Sequence, residues 1–289
     1  MMGATLPIAY LGGEFMPIGD CQVSALDRSF LFGDGIYEGI AAYDGRIFQL
    51  PEHVARLQRS LRELDMPDPL GTASAWEAVL RELIARNGGG DQSVYLQVSR
   101  GAYAGRDHRI PAEQHPMVFA FSAAGVGLPD GVDRDGVSTI TQQDLRWGRC
   151  DIKAVALLAN VLHRTAADRA GAAECLLIHD GLVIEGSSTS LFVVRDGVVY
   201  SMPDGAAILA GVTRGFVVAM IERAGLRFEW RGSDLPSLLA ADEVWICSSL
   251  RELMPVTEVD GHRIADGRPG PHWRRVLDLM REHRDGQLS

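Results

Sequence analysis

Lysine is the residue that this sequence most conspicuously lacks. Among the 28 lysine and arginine residues of the 289-residue chain, Lys153 is the only lysine. Arginine is used wherever a plain positive charge suffices, so a lysine kept here indicates chemistry that a guanidinium cannot perform. A primary amine can lose its proton and condense with a carbonyl group, whereas arginine stays protonated. Lys153 is therefore the first candidate catalytic residue, and a leftover surface lysine is the alternative.

The sequence also lacks the marks of several other protein classes. Its formal net charge of −10 argues against a nucleic-acid partner, which needs a basic face. No apolar run approaches the roughly 20 residues of a membrane-spanning helix, and the N-terminus lacks the pattern of a signal peptide. The cysteines have no C-x-x-C spacing, so we expect free thiols, no metal site and a cytoplasmic location.

Both halves of the chain mix helix and strand patterns, which predicts an α+β (mixed α/β) protein of two domains. Residues 123–131 are small and rich in glycine and proline, so they predict an interdomain linker. The linker separates a small N-terminal α/β domain, residues 1–122, from a larger C-terminal domain, residues 132–289, which carries Lys153.

Local signals place several elements along this chain. Asp44-Gly45 predicts the turn of a hairpin, and Pro51 predicts the start of a helix. A second helix is expected from about Ala154 to Arg169, directly after a predicted strand over residues 145–153. A further strand is predicted over residues 243–248.

A reactive lysine amine usually serves pyridoxal 5′-phosphate, which makes three demands on its protein. The cofactor needs a lysine for a Schiff base, a group that faces its ring nitrogen, and a site for its phosphate. Glu185 lies between a predicted strand and a hydroxyl-rich turn that includes Ser188. Its carboxylate could keep the ring nitrogen protonated, and a surface glutamate before a serine-rich turn is the alternative.

The phosphate has candidate ligands in three places. Val212 and Thr213 lead into a predicted helix, whose N-terminal N–H groups bind anions, and Thr213 adds a hydroxyl. Ser248 and Ser249 end a predicted strand and could supply further donors. Arg56 could supply the charge. An ordinary threonine at a helix start is the alternative for Thr213.

A polar loop after a predicted strand offers a site for a substrate carboxylate. Arg106 and His108 lie two residues apart, so in extended backbone their side chains point the same way. Together with Tyr37 they could bind a carboxylate through charge-assisted hydrogen bonds. A solvated loop with scattered charges is the alternative. The histidines His53, His163 and His262 show no ligand spacing and are interpreted as surface or packing residues.

Four of these stretches, taken in order, resemble the class IV (fold type IV) pyridoxal-phosphate aminotransferases. The likeness runs from Asp27 to about Gly267 and is greatest to the members that act on D-amino acids. It is carried by residues 32–38, 149–153, 185–188 and 211–214. The resemblance implies a two-domain enzyme with its active site at the domain interface. It also implies ping-pong transfer of an amino group between D-amino acids and 2-oxo acids.

The resemblance implies a role for each candidate residue. Lys153 would bind the cofactor covalently, and Glu185 would face the pyridine nitrogen. Arg146 would support the active-site tyrosine from outside the cofactor site. Arg106 and His108 would reach across from a neighbouring subunit to work with Tyr37, which implies a homodimer. The cofactor would be held by Arg56, Val212, Thr213, Ser248 and Ser249, with Leu209 against its ring.

Other activities remain open for this sequence. Residues 38–43 are more like the branched-chain L-amino-acid aminotransferases of the same fold. A 4-amino-4-deoxychorismate lyase and an (R)-amine transaminase are further alternatives, but the Arg106/His108 pair favours a D-amino acid over each of them. A non-catalytic metabolite-binding protein is the alternative from another class.

Overall fold

The computed structural model describes residues 3–288, and the chain divides into two compact units. The first unit comprises the chain up to Val126 together with Ile152–Leu157. The second comprises Gly127–Asp151 and Leu158–Gln287. The sequence assigned Lys153 to the C-terminal domain, whereas the structure groups its segment with the first unit.

The first unit is an antiparallel sheet with two long helices. Its six strands follow the order β2-β1-β6-β5-β3-β4. The strands are β1 (Thr5–Leu11), β2 (Glu14–Pro17), β3 (Gly35–Tyr43), β4 (Arg46–Ile47), β5 (Gln92–Ser99) and β6 (Met117–Ala124). The helices are α1 (Arg28–Phe32), α2 (Leu50–Glu63) and α3 (Ala73–Arg86), and a single 3₁₀ turn covers Ile18–Asp20.

Local sequence signals explain much of this unit. Asp44 and Gly45 both have positive φ, 48° and 74°, as a two-residue hairpin turn between β3 and β4 requires. Pro51 lies in the first turn of α2, which confirms the predicted helix start. Leu57 and Leu61, one turn apart, are each 1% exposed and anchor α2 in the core.

The segment that carries Lys153 joins the first unit through backbone hydrogen bonds. Tyr37 N donates to Lys153 O at 2.9 Å, and Val155 N donates to Gly35 O at 3.0 Å. These bonds add the segment to the start of β3 as an extended chain. The predicted helix from Ala154 is therefore wrong in its first turn, because β3 holds residues 154–157 extended and the helix begins at Leu158.

The second unit is built on a sheet of ten strands with helices around it. Its helices are α4 (Val132–Asp135), α5 (Leu158–Arg169), α6 (Val212–Arg223), α7 (Leu235–Leu239) and α8 (Pro271–Leu288). The first five strands are β7 (Val137–Gln143), β8 (Glu174–His179), β9 (Leu182–Gly186), β10 (Ser190–Arg195) and β11 (Val198–Ser201). The other five are β12 (Arg227–Trp230), β13 (Ser233–Asp234), β14 (Glu243–Ser248), β15 (Glu252–Val259) and β16 (His262–Arg263).

The strands follow the order β12-β11-β10-β14-β15-β7-β8-β9-β13, and β16 pairs with β15. A pairing of Ser190 with Glu185 also links β10 to β9 and closes part of the sheet on itself. The strand predicted over residues 243–248 is confirmed as β14, whereas residues 145–153 form turns instead of a strand. In residues 3–288, no helix combines the length and the apolar character needed to cross a membrane.

Candidate active site

Lys153 faces an aromatic ring of its own unit. Its Nζ lies 4.3 Å from the ring centroid of Tyr37, which is within range of a cation–π contact. Tyr37 in turn stacks on Tyr95, with ring centroids 5.8 Å apart. Burial, followed by the charge of Tyr37, raises the pKa of Tyr95 to about 12, so Tyr95 stays protonated beside the ring. The amine is thus partly buried against a rigid aromatic pair.

Arg56 is fixed by a buried carboxylate. Its Nε donates to Oε1 of Glu38 at 2.8 Å, and its Nη2 donates to Oε2 at 2.7 Å. Burial on its own would raise the pKa of Glu38, but Arg56 and then His53 outweigh burial and lower it to about 2. Glu38 is therefore ionised, and it sets the orientation of the guanidinium.

His53 completes this buried cluster, which sequence reasoning missed. Its Nδ1 lies 2.8 Å from Oε2 of Glu38, and the side chain is 2% exposed. Burial lowers the pKa of His53, although its hydrogen bond to Glu38 acts in the opposite direction. A neutral His53 donates Nδ1–H to Glu38, since Arg56 already balances that charge. The signal in the sequence was the spacing of His53 and Arg56, which puts both on one face of α2.

Glu185 is held in the second unit by two donors. Nη1 of Arg146 donates to Oε1 at 2.5 Å, and the backbone N–H of Leu209 approaches both carboxylate oxygens at 3.4 Å. The residue is 5% exposed. Burial raises the pKa of Glu185, and the charge of Arg146 acts against burial. Such a carboxylate is fixed in place and accepts a proton more readily than an exposed glutamate.

Arg146 has partners that the sequence did not reveal. Besides Glu185, it binds Asp144 through Nε and Nη2, both at 2.9 Å, and the carbonyl oxygen of Ala207 at 3.1 Å. Burial would lower the pKa of Arg146, but Asp144 and Glu185 raise it. The role predicted for Arg146, support of a tyrosine, stays a prediction, whereas its contact with Glu185 is direct.

Ser188 belongs to a hydrogen-bonded group next to Glu185 in the chain. Its hydroxyl donates to Oε2 of Glu174 at 2.7 Å and accepts from Nη2 of Arg251 at 2.8 Å. Glu174 is fully buried and also accepts from the hydroxyl of Ser187. The turn after Glu185 is therefore fixed by a buried carboxylate that sequence analysis did not single out.

The predicted phosphate ligands of the second unit converge at the N-terminus of α6. The hydroxyls of Thr213 and Ser249 lie 3.0 Å apart, although 36 residues separate them in the sequence. Val212 is the first residue of α6, and its N-cap is Gly211, which has no side chain to cap the helix. Ser248 is the last residue of β14. Two hydroxyls and a helix N-terminus form a suitable cup for a phosphate.

Arg106 and His108 meet on one aromatic side chain of the first unit. The Arg106 guanidinium lies 4.9 Å from the ring centroid of Phe32, and the His108 ring lies 5.0 Å from it. Both residues are exposed, on a loop without regular secondary structure. Sequence analysis paired these two side chains but did not identify Phe32 as the surface that they share.

Comparisons with known proteins agree with the four sequence motifs. A family profile described as amino-transferase class IV matches residues 35–259, which is more than half of the chain. The chain belongs to the class IV aminotransferases. Among the relatives of this aminotransferase, the D-alanine aminotransferase of Bacillus licheniformis is 41% identical over 268 residues, 93% of this chain and 94% of the relative. That of Staphylococcus haemolyticus is 34% identical over 97% of this chain and 99% of the relative.

Solved structures give the same fold for this class IV aminotransferase. A branched-chain amino acid aminotransferase of T.th., complexed with N-(5′-phosphopyridoxyl)-L-glutamate, matches with a TM-score of 0.90 and 28% identity over 98% of this chain and 95% of the other. The same enzyme with pyridoxamine 5′-phosphate matches with a TM-score of 0.89, over 96% of this chain and 94% of the other. The predicted α+β fold of type IV, the transaminase class and pyridoxal 5′-phosphate as cofactor are thereby confirmed.

Proposed function

We propose that the chain is a D-amino-acid transaminase. It moves an amino group between D-amino acids, such as D-alanine or D-glutamate, and 2-oxo acids, such as 2-oxoglutarate or pyruvate. The observation that carries this proposal is the 41% identity to a D-alanine aminotransferase across 93% of the chain. Identity of this extent covers the segments of Lys153, Glu185 and Thr213 together.

The geometry fits the demands of the cofactor in each unit. In the second unit, Glu185 is a buried carboxylate fixed by Arg146 and the Leu209 N–H, as a partner for a ring nitrogen must be. Ser188 helps to fix the turn that follows Glu185. The remaining ligands form the phosphate cup and the ring contact, and they are Arg56, Leu209, Val212, Thr213, Ser248 and Ser249.

The proposed roles divide proton transfer between two residues. When bound, pyridoxal phosphate supplies an electron-withdrawing ring that stabilises negative charge at the substrate Cα. Lys153 binds the cofactor covalently, is released when the substrate amine arrives, and then takes the Cα proton as a general base. Glu185 holds the proton of the ring nitrogen. Because two substrates react in turn, the kinetics are ping-pong.

Substrate binding is assigned to the first unit. Tyr37 lies beside Lys153, and Arg106 and His108 provide two donors on one aromatic surface for the substrate carboxylate. We propose that this pair serves the neighbouring subunit of a homodimer. An apolar face on α5 supports an interface, since Leu158 is 76% and Leu162 is 57% exposed. The four free cysteines support a cytoplasmic location.

Borohydride treatment tests the covalent role of Lys153. The purified protein is expected to be yellow, and borohydride should bleach it and leave the cofactor's mass on the peptide that contains Lys153. Lys153→Ala should abolish turnover and the label together. A colourless protein that ignores borohydride, or normal activity of the variant, would refute the assignment.

A chiral assay tests the choice of substrate. With 2-oxoglutarate as acceptor, D-alanine should be converted to pyruvate and L-alanine should not. A preference for the L-enantiomer would overturn the D-amino-acid proposal while leaving the aminotransferase class intact.

Branched-chain L-amino-acid transamination is the second candidate. Two observations favour it, namely residues 38–43 and the structural match with 28% identity to a branched-chain amino acid aminotransferase. L-leucine and D-alanine, each assayed with 2-oxoglutarate, separate the two activities. Turnover of L-leucine at a kcat/KM above that of D-alanine would favour this second candidate.

A further inference from the structure

Arg28 ties the loop that carries Arg106 and His108 to the first unit. We call residues 101–114, which follow β5, the carboxylate loop. Nη1 of Arg28 donates to the carbonyl oxygen of Asp107 at 2.6 Å, and Nη2 donates to that of His108 at 3.3 Å. Arg28 is 6% exposed, so its charge is buried beneath the loop. One guanidinium thus holds two consecutive carbonyl groups of the loop backbone.

Arg28 is itself fixed by a carboxylate that also anchors the base of the loop. Oδ2 of Asp34 accepts from Nε of Arg28 at 2.7 Å and from Nε of Arg100 at 2.9 Å. Arg100, 2% exposed, donates through Nη1 to Gln114 at 2.6 Å and through Nη2 to the Leu64 carbonyl at 2.8 Å. Asp34 therefore joins an anchor at the two ends of the carboxylate loop to an anchor at its middle.

Phe32 brings the side chains of this loop into line. Its ring contacts the guanidinium of Arg28 at 4.9 Å, that of Arg106 at 4.9 Å and the ring of His108 at 5.0 Å. Phe32 ends the short helix α1, which is capped by Asp27 and followed by Gly33 in the left-handed conformation. The platform is thus rigid, whereas the loop above it has no regular secondary structure.

We propose that Arg28 is a positioning residue that sets the affinity of the enzyme for the substrate carboxylate. The inference rests on the proposed function, in which Arg106 and His108 bind that carboxylate. A loop that must be ordered on binding loses conformational entropy at that step, which weakens substrate binding. Arg28 orders the loop beforehand, and a lysine cannot replace it because an ammonium lacks the planar fork that reaches two carbonyls and Asp34.

Two variants of Arg28 test the proposal in the holoenzyme. Arg28→Lys keeps the charge beside Asp34 and loses the fork, whereas Arg28→Met loses both. Arg109→Lys is the matched control, because Arg109 lies on the same loop, is 87% exposed and pairs with Asp107 alone among the ion pairs of the described chain. If Arg28→Met does not fold, Arg28→Lys alone decides the result.

The measurements are hydrogen exchange of the peptide over residues 101–116, steady-state kinetics with D-alanine, and the cofactor's absorption spectrum. In Arg28→Lys we expect faster exchange in that peptide and a KM for D-alanine about tenfold higher, the effect of losing a charge-assisted hydrogen bond. The kcat should change less than about twofold and the spectrum should not change, since Arg28 acts on binding. Arg109→Lys should match the wild type in every measurement.

Two results would overturn the proposal while leaving the transaminase assignment in place. One is unchanged exchange of the loop in both Arg28 variants. The other is faster exchange with an unchanged KM, which would mean that loop order does not govern carboxylate binding. A wild-type protein inactive toward D-amino acids would instead refute the proposed function, and the hydrogen-exchange result would still decide whether Arg28 fixes the loop.

Discussion

Glu38 grips Arg56 through two parallel hydrogen bonds, Nε to Oε1 at 2.8 Å and Nη2 to Oε2 at 2.7 Å, with both side chains buried. This fork fixes the plane of the guanidinium, which is the group proposed to bind the cofactor's phosphate. A guanidinium carries five N–H donors, so a carboxylate that engages two of them is compatible with a second anion. Glu38 thus prepares Arg56 for a phosphate.

Glu38→Gln should weaken both the fold and the binding of the cofactor. The substitution leaves the buried charge of Arg56 without its counterion, which costs about 3 to 5 kcal/mol in the free energy of unfolding. The Kd of the apoprotein for pyridoxal phosphate should rise by at least about tenfold, because the guanidinium is no longer oriented. Urea denaturation and absorbance titration measure the two effects.

Glu77→Gln is the control for this variant. Glu77 forms an exposed ion pair with Arg81 on α3, and such pairs contribute about 0.3 to 0.5 kcal/mol. A Glu38→Gln protein as stable as the Glu77→Gln protein would show that the buried fork is not needed for the fold. An unchanged Kd would remove Glu38 from phosphate binding.

His53 should make the stability of the apoprotein fall in mild acid. Burial holds the pKa of His53 in the folded state below its ordinary value of about 6.5, so below that pH the unfolded chain binds a proton that the folded chain does not. The stabilising contribution is therefore complete above about pH 6.5 and is lost as the pH falls, by at most about 1.4 kcal/mol per pH unit. Urea denaturation at pH 7.5, 6.5 and 5.5 measures the slope.

His53→Asn isolates this proton. An asparagine amide can still donate to Glu38 but does not titrate, so the variant should lose less stability between pH 6.5 and 5.5 than the wild type does. His115→Asn is the control, since His115 is 68% exposed. Equal slopes for the wild type and His53→Asn would mean that His53 binds its proton in the folded state at the ordinary pH.

Glu185→Gln should slow the chemistry and spare binding. A neutral amide cannot hold a proton on the ring nitrogen, so the negative charge formed at the substrate Cα is less stabilised. We expect kcat to fall about 100-fold, the size of effect known for removal of one preorganised electrostatic group, with a small change in KM. Rapid-mixing absorbance of the half-reaction with D-alanine measures the step, and Glu258→Gln, at an exposed position of β15, is the control. A kcat within about threefold of the wild type would remove Glu185 from this role.

The comparison of sequence and structure separates local signals from distant pairings. The start of α2 at Pro51 and the Asp44-Gly45 turn follow from residues that prefer those conformations, and both were predicted. Residues 154–157 were assigned to a helix, because the apolar run has no period that distinguishes a helix from an extended chain. Tertiary hydrogen bonds to β3 decided the conformation.

The candidate site divides in the same way. Residue chemistry and motif order selected Lys153 and Glu185, because a single lysine and a lone carboxylate are visible in the sequence. The partners that orient the site were missed, since Glu38 is 18 residues from Arg56 and Arg146 is 39 residues from Glu185. Spacing along a helix reveals neighbours three or four residues apart, whereas contacts between distant segments depend on the sheet register.

The apolar face of α5 provides a last prediction, on assembly. Leu158, Val161 and Leu162 are spaced so that they share one side of the helix, and each is more than half exposed. If this face meets a second copy in a homodimer, the double substitution Leu158→Glu and Leu162→Glu places charges in an apolar contact, which is costly. Sedimentation velocity should then find the wild type as a dimer and the double variant as a monomer, with transaminase activity lost in parallel, because Arg106 and His108 are proposed to serve the partner. Asp168→Lys, a charge change on the same helix outside that face, should remain dimeric. A double variant that stays dimeric would locate the interface elsewhere.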